Sequence, residues 1–204
     1  MSSESTPALV LASASPRRSE LLASLGIAFR KQPANVDESE RPGETPHEYV
    51  LRLARAKSRA IEAAAGELVL AADTIVVLDD RLLGKPRNRS EVVEMLEALS
   101  GRHHRVLTAV SLRDTKAQTE ADDVAETRVL FHELTAHEID WYSHTGEPDD
   151  KAGSYAMQGL GALFVSGIEG NGSNVIGLPI PLLYELFSRL GYDLKRLCGA
   201  TKGA

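Results

Sequence analysis

The sequence predicts an α/β fold: a mixed twisted sheet with flanking helices. Two observations carry that prediction. Short apolar runs, such as Ala8–Ala12 and Leu68–Leu78, alternate with segments in which apolar residues recur at helical spacing. In two later segments Val106, Thr108, Val110 and Leu112, and then Ala125, Thr127, Val129 and Phe131, fall at alternate positions as in half-buried strands, and together they suggest an antiparallel pair.

Taken in order, Ala8–Ala12 reads as a buried strand. Ser15 is placed to cap the following helix, Pro16 suits its first position, and Leu21, Leu22 and Leu25 share a face up to Gly26. Ile27–Gln32 reads as a second strand and 35–45, with Pro42 and Gly43, as a loop. Thr45-Pro-His-Glu48 is a capping box opening a helix that carries Tyr49, Val50, Leu53, Ala54, Lys57 and Ile61 and stops near Gly66. Leu68–Leu78 is a central strand and Asp79-Asp80 a turn. Asn88-Arg-Ser-Glu91 is a second candidate box, for a helix ending at Gly101. After the paired strands, Thr135-Ala-His-Glu138 caps a short helix in which Trp141 and Tyr142 are expected to pack on the core. The stretch from Gly153 to Gly177 is glycine-rich, and Leu182–Leu190 forms the closing helix. No linker interrupts the pattern, so 8–192 is expected to be a single domain, flanked by a tail over 1–7 and a polar tail over 193–204.

Composition bounds the function. The 204 residues are 43% hydrophobic, enough to bury a core without metal or disulfide staples. Lys and Arg total 23 against 29 Asp and Glu, a net charge of −6, which argues against a nucleic-acid backbone as partner. The single cysteine, Cys198, excludes an intrachain disulfide and fits a reducing compartment. The polar start does not read as a signal peptide, and the 68–78 run, broken by Asp73, is too short to span a bilayer. A soluble cytoplasmic protein with no membrane partner is expected.

Ser13-Ala-Ser-Pro-Arg-Arg18 joins a strand to a helix. The unpaired N–H groups of a helix start, the hydroxyls of Ser13 and Ser15 and the forked donors of Arg17 and Arg18 suit a phosphate. A capped helix with two solvated arginines would show the same pattern, and with no Gly-Lys-Ser/Thr it is not a Walker loop. Asp73 lies inside an apolar strand, where a carboxylate must be paired, hydrogen-bonded or bound to a cation. It reads either as a metal ligand or base on a rigid strand, with Thr74 beside it, or as a local cap. Asp37 and Glu38 matter only if the fold brings them to Asp73, where two carboxylates suit a hard cation such as Mg²⁺. Lys57 falls on the buried stripe of its helix, to be paired or to snorkel. Lys85 sits in a Gly-Lys-Pro turn. Gln158, before Gly159, can offer an amide donor and acceptor to a base edge, or simply mark a turn. The six histidines show no zinc-type pairing, and Cys198 lies in a polar segment unsuited to a nucleophile.

Together these segments resemble the Maf family, septum-formation-inhibitor-like nucleoside triphosphate pyrophosphatases. The matching stretches are Leu11-Ala-Ser-Ala-Ser-Pro-Arg-Arg18, Val36-Asp-Glu38, Arg52-Leu-Ala-Arg-Ala-Lys57, Ala71-Ala-Asp-Thr74, Gly84-Lys-Pro-Arg87, Asp150-Lys-Ala-Gly-Ser-Tyr-Ala-Met-Gln-Gly159 and Val175-Ile-Gly-Leu-Pro179. The resemblance implies two lobes around a nucleotide-binding cleft, the architecture shared with inosine triphosphate pyrophosphatases. It implies hydrolysis of dTTP and UTP, and of CTP or modified pyrimidine nucleotides, to the monophosphate and pyrophosphate with Mg²⁺ or Mn²⁺. Asp73, Glu38, Lys57 and Lys85 are then catalytic, with Glu38 and Asp73 holding the metal. Ser13, Arg17 and Arg18 bind phosphates, and Arg17, Thr74 and Gln158 set specificity. The branch acting on N7-methyl-GTP resembles this chain less, since it has a tryptophan in the first motif and another residue after the aspartate. Other readings are a nucleotide-binding regulator of division, which would not need the Glu38/Asp73 pair, and a nucleotidyltransferase, which would want glycine within 11–18. A homodimer through an exposed face of the 106–131 strand pair is a further expectation.

Overall fold

In the computed structural model, residues 7–199 are described. The seven strands are β1 (Leu9–Leu11), β2 (Phe29–Lys31), β3 (Leu68–Leu78), β4 (Arg81–Leu83), β5 (His103–Asp114), β6 (Thr119–Phe131) and β7 (Val165–Glu169). They form one sheet in the order β2-β1-β3-β5-β6-β7, with β4 on β3. The sheet is mixed: β1 runs parallel to β2 and β3, whereas β3/β4 and β6/β7 are antiparallel. β5 and β6 are neighbours joined by residues 115–118, a connection short enough only for antiparallel strands. The helices are α1 (Pro16–Ser24), α2 (Pro46–Arg59), α3 (Arg89–Leu99), α4 (Ala136–Ser143), α5 (Gly172–Ile176) and α6 (Ile180–Arg189). The predicted α/β class is the observed one. Among the described residues no helix is long and apolar enough to cross a membrane.

The chain divides into two compact units. The first takes the chain up to Asp73, then 109–124 and the chain from Gly177; the second takes Thr74–Thr108 and Ala125–Ile176. In the first unit Val10, Ala12, Ile61, Val69 and Ala71 cluster, and α2 buries Val50, Leu53 and Ala54. In the second, α3 and α4 give Val92, Leu96, Leu99 and Tyr142 to a core that includes Phe131, Tyr155 and Phe164. Phe131 meets Tyr155 edge-on at 4.8 Å and Tyr142 meets Phe164 at 5.0 Å, pairs contributing about 1 kcal/mol each beyond area burial.

Local signals translate directly where both partners lie within a few residues. Thr45/Glu48 and Thr135/Glu138 form complete reciprocal capping boxes. Asn88 forms half of one: it accepts from Glu91 N–H, but the Glu91 carboxylate turns instead to Arg87. Ser15 is the N-cap of α1 by backbone alone, without a side-chain cap.

Elsewhere, distant partners decide. α2 ends at Arg59, not near Gly66, because the Arg113 guanidinium takes the carbonyls of Ser58 and Ile61 and Thr115 takes that of Ala64. β5 is not half-buried: every residue from Val106 to Leu112 is buried. Its polar members are satisfied, Thr108 by the Asn174 carbonyl and Ser111 by Glu120. Only β6 alternates. Tyr142 packs inward as expected, but Trp141 remains 42% exposed. Of the two expected tails, 1–6 and 200–204 lie outside the described residues; Leu194 and Leu197, within 193–199, are buried.

Candidate active site

In the first unit the chain leaves β1 at Leu11 and turns through 12–15 into α1, where Pro16 needs no N–H partner. The buried Ser13 hydroxyl accepts from Ser15 N–H and from Arg18 Nη1, each at 3.1 Å. Arg18 also donates through Nε to the Gly177 carbonyl at 2.8 Å. Burial pulls its guanidinium below the ordinary arginine value, opposed by the charges of Asp73 and Glu38. Arg17 is half-buried on the same first turn.

Asp73 lies in mid-β3, where all residues but Thr74 are buried. Its Oδ1 stands 2.6 Å from the Lys57 ammonium, and Glu38 Oε1 stands 2.6 Å from the same nitrogen. The two carboxylate oxygens are therefore no farther apart than twice that distance. Lys57 and Asp73 are enclosed, with side chains 12% and 11% exposed, while Glu38 is 54% exposed. Burial raises the Asp73 carboxyl above the usual carboxylate range, against the opposing pull of Lys57 and Arg18.

The loop holding Glu38 is tied to α2 by two further side chains. Tyr49 donates its hydroxyl to the Glu38 carbonyl at 2.8 Å. Arg52 donates to the Ser39 carbonyl at 3.0 Å, grips Glu44 with two bonds and lies 5.3 Å from the Tyr49 ring centre. Burial and nearby carboxylates push the Tyr49 phenol up to about 12, so it stays a donor.

The second unit carries the remaining candidates. Thr108 gives its proton to the Asn174 carbonyl at 3.0 Å, so the 2.9 Å contact between Thr74 and Thr108 has Thr74 as donor. Asn174 in turn donates to Val106 and Thr127, completing a buried polar network beneath Thr74. Lys85 is exposed just after β4, in an irregular stretch tied by the bond from Gly153 N–H to the Gly84 carbonyl at 3.1 Å. Gln158 is exposed beside Gly159, in a stretch anchored by Glu147 and Tyr142.

Residues 8–190 match the family described as Maf-like protein. The chain belongs to the Maf family. A curated relative from Anaeromyxobacter sp. (strain Fw109-5), named dTTP/UTP pyrophosphatase, is 54% identical over 189 residues, covering 91% of each chain. One of the same name from Myxococcus xanthus (strain DK1622) is 49% identical over 187 residues, covering 91% of this chain and 94% of its own. A solved structure of the Staphylococcus aureus Ham1 protein aligns over 94% of this chain at 12% identity with a TM-score of 0.44, a likeness too distant to bear on the fold or the activity.

In this Maf chain the fold gathers Glu38, Lys57 and Asp73 into one ion-paired cluster and links Ser13 to Arg18. Thr74, Lys85 and Gln158 belong to the second unit. Among the described residues no three His, Cys, Asp or Glu side chains converge as a metal cage. The two carboxylates that meet on one cationic atom, Glu38 and Asp73, are hard oxygen donors whose chemistry fits a hard divalent ion. Sequence reasoning missed Tyr49, Arg52, Glu147 and the Thr108–Asn174–Thr127 network. Tyr49 and Arg52 had a readable signal, lying N-terminal to Lys57 on the same helix; the others are joined only by the tertiary fold.

Proposed function

We propose that this Maf protein hydrolyses dTTP and UTP to the nucleoside monophosphate and pyrophosphate. The observation that carries the reading is the convergence of Glu38 Oε1 and Asp73 Oδ1 on Lys57 Nζ, 2.6 Å from each. Pure binding calls for cations facing a triphosphate; a pair of converging carboxylates adds what hydrolysis needs. The name carried by the Anaeromyxobacter and Myxococcus relatives supports the same reaction and the same bases.

In the proposed mechanism a water attacks the α-phosphorus, its oxygen forms the new P–O bond and the bond to the β-phosphate bridging oxygen breaks. Asp73, held on a rigid central strand, orients that water and takes its proton. Ser13, Arg17 and Arg18 hold phosphate oxygens, and Arg17 also contributes to base choice. Lys57 can release one carboxylate partner to a phosphate oxygen without leaving the other unpaired. Lys85 neutralises the departing pyrophosphate. A divalent cation, Mg²⁺ or Mn²⁺, held by Glu38 and Asp73 supplies charge neutralisation of the triphosphate when bound. The Gln158 amide, with one donor and one acceptor, complements the N–H and carbonyl of a uracil or thymine edge, and Thr74 supports that reading.

The test is incubation of the pure protein with Mg²⁺ and each of dTTP, UTP, CTP and N7-methyl-GTP. Monophosphate plus pyrophosphate from dTTP and UTP is expected. Orthophosphate instead, or no product, overturns the reading.

A further inference from the structure

The backbone that carries Gln158 is built around one carboxylate. Glu147 opens a 3-10 turn, Glu147–Asp150. It accepts from the N–H groups of Leu160 and Gly161, each at 2.9 Å. It also takes the Tyr142 hydroxyl proton at 2.8 Å, and the same phenol oxygen accepts from Ala156 N–H at 3.3 Å. The pair thus grips the chain on both sides of Gln158. Tyr142 is wholly buried, whereas Gln158 is exposed.

Two glycines record how closely the backbone wraps this pair. Gly159 adopts φ +148°, and a Cβ there would lie 2.3 Å from a Glu147 carboxylate oxygen. A Cβ on Gly161 would lie 2.7 Å from the Tyr142 hydroxyl. Burial works against ionisation of Glu147, but the Gly161, Leu160 and Tyr142 hydrogen bonds outweigh it and hold the carboxyl below its ordinary value. An anion accepting several hydrogen bonds fixes its donors more firmly than a neutral group would.

We infer that Glu147 and Tyr142 are positioning residues for base selection, holding segment 156–161 so that the Gln158 amide meets the base at one angle. This rests on Gln158 reading the base, as proposed above. Hydrogen-bond readout is directional, so an amide on a loosened segment averages over orientations and discriminates less. Glu147→Gln keeps the shape but turns one acceptor into a donor facing backbone N–H groups. Tyr142→Phe removes only the hydroxyl.

The experiment measures kcat and KM for dTTP, UTP and CTP, with thermal midpoints, in wild type, E147Q, Y142F, Q158A and E147Q/Q158A. In E147Q the kcat/KM preference for dTTP over CTP is expected to fall roughly five- to tenfold, the size of one hydrogen bond, mainly through KM. Y142F should move the ratio the same way, and serves alone if E147Q does not fold. The double variant should be no less selective than Q158A. If Q158A loses preference while E147Q and Y142F keep the wild-type ratio, or slow all bases equally, the positioning role is wrong and the reading of Gln158 stands. If Q158A itself keeps the wild-type ratio, that reading falls and the positioning role with it.

Discussion

The two units hold their candidate residues by opposite means. Around Asp73, charge meets charge: one ammonium serves two carboxylates, and a buried guanidinium adds its field. Around Gln158, one carboxylate is met by backbone N–H groups and a phenol. An ammonium shared between two anions can exchange one of them for an incoming phosphate oxygen and remain bonded throughout. Backbone N–H groups aimed at one carboxylate, two of them with the buried Tyr142 hydroxyl beside them, hold fixed directions, and replacing that acceptor costs the bonds together. The first arrangement suits a place where charges move during a reaction; the second suits one where an angle must not move.

The largest expected effect tests the charged side. Asp73→Asn should fold and melt normally yet lose at least about 100-fold in turnover, measured as pyrophosphate release. Near-wild-type turnover would remove Asp73 from the chemistry. Lys57→Met leaves the Asp73 carboxylate buried without its ammonium, and should cost about 3 kcal/mol of stability in denaturant titration. Adding Asp73→Asn to it should restore most of that loss. An unchanged midpoint in Lys57→Met would mean the cluster is held by packing, and the contrast between the units would disappear.

On the neutral side, His104 is buried against Tyr155, with Nε2 2.8 Å from the phenol, and burial pulls its pKa from 6.5 to about 4. Between those values the unfolded chain takes up a proton that the folded chain refuses, so stability falls as pH is lowered from about 6.5 to about 4, by up to about 3 kcal/mol. His104→Phe should flatten that slope in thermal melts at stepped pH; a wild-type slope in the variant would place the titration elsewhere. The smallest effect belongs to the Glu38 tether. Tyr49→Phe removes one neutral hydrogen bond, about 1 kcal/mol, and should raise the Mg²⁺ concentration for half-maximal activity about fivefold. An unchanged Mg²⁺ titration would show that the Glu38 backbone needs no fixing.

Legibility followed the distance between interacting residues along the chain. Pro16, the Thr45 and Thr135 boxes and the apolar strand around Asp73 are local patterns, and the sequence showed them. The partner of Asp73 was half-visible, since Lys57 on a buried stripe needed an anion and Asp73 a cation. The end of α2 was hidden, because Arg113, which takes its last carbonyls, comes from another element. β5 misled for a related reason: Val106, Thr108, Val110 and Leu112 suggest one buried face, but Leu107, Ala109 and Ser111 on the other are buried too, Ser111 being satisfied by Glu120 from the next strand. The grip of Glu147 on Gly161 leaves no sequence period to detect.

The first unit is assembled from three stretches of chain, and the second is inserted between them. During synthesis, the Nε bond of Arg18 must wait for Gly177, 159 residues later, which at about 5–20 residues per second is a delay of roughly 10–30 s. A nascent chain holding the first motif, the acidic loop and Asp73 still lacks the carbonyl that orients Arg18.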